Sequence, residues 1–316
     1  MIPRDAYLDS APLQPGDTVA FVSPAGQCSA EALERGKQFY EQWGLNVLVG
    51  EHALAKHPRA DYLAGTDAER RADLVAAWLN PDIDAVVSTR GGYGSLRLLD
   101  GIDWAAMRTA AARRDGRPKL LTGSSDITAL HEAFRAHLDV PTLFCPMATN
   151  DVFGKSTSIR DDVHRWLFQA WRGQSLVGPA TEVLAPGIAA GRFTGGNLSL
   201  LASALGAAEA ERQPDGILFL EDVTEKPYRI DNFLTQLRRA GSFDSVKGVV
   251  LGSWHECGDL DAVRALMEEE FGESGIPVLW EQGFGHDPDA ISVPLGVEGL
   301  LDATGQEPVL TVTEGV

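Results

Sequence analysis

The chain has 316 residues, 44% of them hydrophobic and 23% charged, which is enough apolar material for a large core and enough length for two domains. Its 45 acidic against 27 basic side chains give a formal charge of -18, a field that repels polyanions and argues against nonspecific binding of nucleic acid or of an anionic membrane. The segment Met1 to Ser10 has no apolar stretch behind a basic one, no apolar run is long enough to span a bilayer, and Cys28, Cys145 and Cys257 form no Cys-x-x-Cys pair, so the cytoplasm is the expected compartment.

In chain order, Asp17 to Ser23 is predicted as a strand ending in the turn Ser23-Pro-Ala-Gly26. A helix over Ala30 to Trp43 and a strand over Leu45 to Val49 follow. A further helix, Asp67 to Leu79, leads into the apolar strand Ile83 to Thr89, the glycine turn Arg90-Gly-Gly-Tyr-Gly94 and a helical Ser95 to Leu99. Next comes Lys119-Leu-Leu-Thr-Gly-Ser-Ser-Asp-Ile-Thr-Ala-Leu-His131, a short strand running through a Gly-Ser-Ser-Asp corner into a helix whose apolar face carries Ile127, Leu130 and Phe134. Repeated strand–helix units predict a parallel, doubly wound sheet with its functional loops at the carboxyl ends of the strands. This reading gives a first domain over 1–150, a connector over 151–186 with one helix near Asp161 to Trp171, and a second domain over 187–316. In the second domain, strands are expected at Gly216 to Leu220, Gly248 to Leu251, near Val278 and near Leu310. Its helices are expected around Ile230 to Ala240 and Leu260 to Phe271.

Ser125 stands at the strand-to-helix corner, where a sharp turn exposes a hydroxyl and the helix N-terminus can stabilise an oxyanion. Ser125 and Asp126 are equally suited to capping that helix. The glycine turn lacks the third glycine of a dinucleotide fingerprint, since Arg97 occupies it, and no Gly-Lys-Ser/Thr loop exists. It is either a tight turn needing positive φ or a close backbone approach that completes an oxyanion hole. A serine nucleophile needs a base and the base an orienting acid. Glu221, ending the apolar run Ile217 to Leu220, and His286, in Gly283-Phe-Gly-His-Asp-Pro288, are the candidates. Glu221 is equally placed to pair with Lys226 or Arg229. His255-Glu256-Cys257-Gly258-Asp259 has no second ligand pair, so no metal site is expected.

Taken in order, Ser23-Pro-Ala-Gly26, Arg90-Gly-Gly-Tyr-Gly94, Gly123-x-Ser-Asp-x-Thr-Ala-Leu130, Gly195-Gly-Asn-Leu198, Leu220-Glu-Asp222 with Tyr228, and Gly285-His286 resemble the LD-carboxypeptidase family of serine peptidases. That group includes the microcin C7 self-immunity proteins. The resemblance implies a Rossmann-like N-terminal domain, a smaller β-rich α/β C-terminal domain and a homodimer. It implies a triad of Ser125, His286 and Glu221, with the N–H groups of Asp126 and Gly92 as the oxyanion hole and no cofactor. The reaction it implies is hydrolysis of the bond between meso-diaminopimelate and terminal D-Ala in murein tetrapeptides, for peptidoglycan recycling. Arg90 is the nearest cation for the substrate's terminal carboxylate.

Three positions depart from the family's pattern: Ser124 replaces an aromatic residue, Cys145 stands where glycine is common before proline, and Asn232 stands where arginine often follows the acid. Two other readings remain open. One is an immunity-like amidase cleaving aminoacyl or peptidyl nucleotides; the other is a silent peptide-binding module on the same fold.

Overall fold

The computed structural model describes residues 5–178, 180–211 and 215–314. β1 (Thr18–Val22) leads to α1 (Ala30–Gln42), β2 (Asn46–Val49) and α2 (Asp67–Leu79). Ser29 caps α1 by accepting from Ala32 N, and Thr66 with Glu69 closes a capping box on α2, which fixes where both helices start. β3 (Ala85–Ser88) opens into the glycine loop, a 3-10 segment (Ser95–Gly101) and α3 (Trp104–Thr109). β4 (Leu120–Gly123) ends at the serine corner, where a 3-10 turn (Ser125–Ile127) runs into α4 (Thr128–Ala133) and then β5 (Thr142–Phe144).

The segment expected to be a connector with one helix contains α5 (Asp151–Lys155), α6 (Thr157–Phe168) and β6 (Glu182–Ala185). α6 begins ahead of Asp161 because Ser156 caps it, accepting from Ile159 N at 3.3 Å. It ends at Phe168, which leaves Trp171 outside the helix, with its indole N–H donating to Trp166 O at 2.7 Å.

β7 (Ile188–Asn197) is followed by α7 (Leu198–Ser203), β8 (Ile217–Val223) and α8 (Pro227–Arg239). Then come β9 (Gly248–His255), α9 (Leu260–Phe271), β10 (Val278–Trp280), β11 (Val293–Leu295), β12 (Glu298–Asp302) and β13 (Val309–Val312). β7 was not among the predicted strands, because Gly191, Gly195 and Gly196 interrupt the alternation on which a strand prediction relies.

Two sheets organise the molecule. The first has the order β11-β5-β4-β3-β1-β2, parallel except for β11, and the second the order β13-β12-β7-β8-β9-β10-β6 with a parallel centre, β7 to β10. Ser125 follows the carboxyl end of β4, as expected for a doubly wound sheet, whereas β11 brings a late piece of chain back to β5. The central strands of both sheets are buried apolar runs packed under helices. Among the described residues no helix is long and apolar enough to cross a membrane.

Candidate active site

The corner after β4 is held by its backbone. Ser125 has φ +60, a left-handed conformation that costs a side-chain-bearing residue on the order of 1–3 kcal/mol and persists only where neighbours over-determine it. Those neighbours are close. A Cβ on Gly91 would stand 3.0 Å from Ser125 Cβ and 3.3 Å from Asp126 N, and one on Gly123 would meet Ile127 Cγ1 at 2.9 Å. The buried His131 bonds Gly123 O and Thr142 Oγ1, both at 2.9 Å, and burial pushes its imidazole down to about 4, so it is a neutral strut at physiological pH.

Asp126 does not cap the helix. Its carboxylate turns away to accept from Ser95 N at 2.8 Å and Ser95 Oγ at 2.6 Å, and burial raises it above the usual carboxylate range. This bond ties the glycine loop to the Ser125 turn. Gly26 N donates to Gly91 O at 2.9 Å, so a planar trans peptide directs the Gly92 N–H away from Gly26. Gly92 itself has φ +99, open only to glycine without strain. From beneath, the buried guanidinium of Arg70 donates to Gly94 O at 2.9 Å and to Pro24 O, joining both loops. Sequence reasoning did not single out Arg70, whose only signal is a cation on the apolar face of α2.

The acid–base side rests on the second sheet. Glu221 lies inside β8 rather than at its end, because the strand continues through a bulge between Leu220 and Asp222. Fully buried, Glu221 accepts from His286 Nδ1 at 2.7 Å and from Asn197 Nδ2 at 3.1 Å. A carboxylate can only accept, so His286 carries its proton on Nδ1 and leaves Nε2 as the basic nitrogen. The loop N–H of His286 donates to Ser253 Oγ at 2.9 Å. Gly285 must be glycine here: it has φ +117, and a Cβ would lie 2.7 Å from both Glu221 Oε2 and Ser253 Oγ. Burial of His286 is the largest influence and opposes its protonation, yet Glu221, Asp222 and Asp287 together raise the imidazole above its ordinary value. Asp222 is pushed up to about 7, first by burial and then by Glu221.

The two sides meet at a cleft of about 510 Å³ lined by Arg90, Ser124, Thr149, Asn150, Gly285 and His286, among others. Ser125 follows Ser124 in sequence but is not itself among the residues that line the cleft. Among the described residues no hydrogen bond joins His286 to Ser125; such bonds are often long in ligand-free sites and tighten around substrate. Arg90 is exposed and holds only a 3.4 Å contact to Gln27 O, so its guanidinium is available to an anion. Of the three departures, Ser124 does line the cleft, Cys145 is buried behind it with its thiol pushed up to about 12 by burial, and Asn232 is exposed on α8. His255 pairs with Asp287 at 3.5 Å, and among the described residues no group of three or more His, Cys, Asp or Glu side chains could hold a metal ion.

Known proteins share this arrangement of chain. Residues 19–145 match the LD-carboxypeptidase N-terminal domain and residues 190–301 the LD-carboxypeptidase C-terminal domain. A putative carboxypeptidase of Streptomyces coelicolor is 45% identical over 93% of each chain. The murein tetrapeptide carboxypeptidase of Pseudomonas aeruginosa is 32% identical over 90% of this chain and 92% of its own. The structure of MccF in complex with glutamyl sulfamoyl guanosine superposes with a TM-score of 0.84 over 97% of this chain and 99% of that one, at 24% identity, a likeness of fold.

Proposed function

The chain belongs to the LD-carboxypeptidase family, and from that premise we propose that it is a serine carboxypeptidase. Its proposed reaction is hydrolysis of the L,D-peptide bond between meso-diaminopimelate and terminal D-Ala of murein tetrapeptides. The observation that carries the reading is the 2.7 Å bond between buried Glu221 and His286, with His286 lining the same cleft as Ser124, the residue that precedes the left-handed Ser125. The 32% identity to a murein tetrapeptide carboxypeptidase supports the substrate. Cytoplasmic peptidoglycan recycling and a homodimer belong to the same proposal and rest on family resemblance.

Ser125 Oγ attacks the carbonyl carbon on the L-centre of diaminopimelate while His286 Nε2 takes its proton. The oxyanion forms beside the N–H groups of Asp126 and Gly92. Collapse breaks the C–N bond, His286 returns the proton to the departing D-Ala amine, and water, deprotonated by His286, hydrolyses the acyl-enzyme and restores Ser125. Glu221 keeps the imidazole in the productive tautomer and stabilises its protonated form. Arg90 receives the terminal carboxylate of the substrate.

Mass-spectrometric detection of D-Ala released from L-Ala-γ-D-Glu-meso-diaminopimelate-D-Ala tests the reading, with Ser125→Ala and an aminoacyl sulfamoyl adenosine alongside. Release that requires Ser125 is expected. Cleavage of the nucleotide conjugate alone would transfer the chain to the immunity-like reading, and silence on both would make it a binding module.

A further inference from the structure

Asn197, in the Gly195-Gly-Asn-Leu198 segment, has no role in the steps above, yet its side chain touches both acids beneath His286. It is 2% exposed, at the end of β7. Its Nδ2 donates to Glu221 Oε1 at 3.1 Å and to Asp222 Oδ1 at 3.0 Å. Neighbouring residues of a regular strand point to opposite faces; the bulge in β8 is what lets two consecutive carboxylates reach one amide. The amide oxygen is equally committed, accepting from Leu200 N at 3.2 Å and Ser199 Oγ at 2.7 Å at the start of α7, which fixes the orientation of the side chain.

The backbone of the same residue reaches the other half of the site. Asn197 N–H donates to Thr128 Oγ1 at 3.0 Å, and Thr128 opens α4, the helix that follows the Ser125 turn. Gly196 permits this approach: a Cβ there would stand 2.7 Å from Thr128 Oγ1. One residue therefore bonds the acid of the pair and the helix of the nucleophile.

We propose that Asn197 is a positioning residue that holds the Glu221–His286 pair in register with the Ser125 turn, acting through Glu221. The proposal rests on the triad reading above for its consequence in turnover. Its structural content, a bond that tunes Glu221 and hence His286, is testable without substrate. Among the described residues the charged groups around His286 are Glu221 and Asp222 from β8, Asp287 from its own loop and, through Asp287, His255 from β9, with Arg90 and Asp151 lining the same cleft. An aspartate at 197 would add a carboxylate to this set and favour the imidazolium.

The experiment is an NMR titration of the His286 imidazole in the full chain, its resonance assigned by its loss in His286→Gln, in wild type, Asn197→Ala and Asn197→Asp. A midpoint moved upward in Asn197→Asp and displaced in Asn197→Ala is expected. Where peptide turnover is measurable, kcat is expected to fall roughly tenfold or more in Asn197→Ala with KM nearly unchanged. Midpoints that superimpose on wild type in folded variants overturn the proposal, since a merely structural asparagine would change stability alone. Should neither 197 variant fold, Thr128→Val, which removes the acceptor of the Asn197 N–H with little change of shape, is read by the same titration: a displaced midpoint supports the proposal and a superimposed one overturns it. A displaced midpoint in a protein that leaves murein peptides intact would sink the substrate assignment and not this one.

Discussion

Around Ser125 the side chains of Asp126, Arg70 and His131 brace a left-handed backbone crowded by glycines, whereas around His286 the buried hydrogen bonds join groups that carry or exchange charge. The first arrangement presents a hydroxyl from a turn whose φ is set by what surrounds it. The second sets a proton affinity, which depends on charge and on donors. The nucleophile side should therefore be most sensitive to added atoms and the acid–base side to changed polarity.

The largest effect expected from this contrast lies on the acid–base side. His286→Ala removes the base and is expected to abolish nearly all turnover, and the nearly isosteric Glu221→Gln is expected to lower kcat by roughly 10³–10⁴, because an amide can donate to Nδ1 and stabilise the wrong tautomer. Steady-state kinetics on the tetrapeptide check both; a Glu221→Gln enzyme within tenfold of wild type would break the comparison. Next comes the pH profile. Because Glu221, Asp222 and Asp287 together outweigh burial and raise His286, the acid limb of kcat/KM is expected above the ordinary histidine value of about 6.5, activity growing as pH rises and the imidazole deprotonates. In Glu221→Gln, burial acts with less opposition, and the limb of the residual activity should move to lower pH. The linked stability has the opposite sense. The ion pair stabilises the fold fully below the unfolded-state pKa and is lost as pH rises through the higher folded-state value.

The smallest effect, on the nucleophile side, sharpens the contrast. Gly123→Ala adds one methyl at φ +152, 2.9 Å from Ile127 Cγ1 and Cγ2, and is expected to cost about 1–3 kcal/mol in thermal or urea unfolding with a loss of kcat. Its pH limb should stay where wild type has it, since no charge has changed. A displaced limb in this variant would show that strain at the serine corner is passed through Thr128 and Asn197 to the Glu221–His286 pair.

Much of this was legible in sequence where a local rule was strong. The helix over Asp67 to Leu79 follows from a capping box and an apolar stripe, and Leu260 to Phe271 from the Asp259 cap. The serine corner is a strand–turn–helix pattern within one short segment. What failed was non-local or glycine-rich. β7 hides behind its glycines, and the short strands β6 and β11 owe their existence to partners distant in sequence. Asp126 could not be known to prefer Ser95 over its own helix, because that choice depends on a loop from another strand. Glu221 was singled out as a candidate, but not the bulge at which it sits, and Asn197 was noticed as part of a pattern without its chemistry.

β11 has a consequence for how the protein is made. It completes the first sheet by pairing with β5, and it lies beyond the loop that carries His286. A chain emerging from the ribosome thus displays β5, with Leu143 and Phe144, as an open apolar edge until almost the whole second half has been synthesised. Such a distant pairing makes closure slow relative to local helix formation. The cleft is then completed as a late event in biogenesis, after Ser125, Glu221 and His286 have all been translated, and the interval before it is when this chain is most exposed to misassembly.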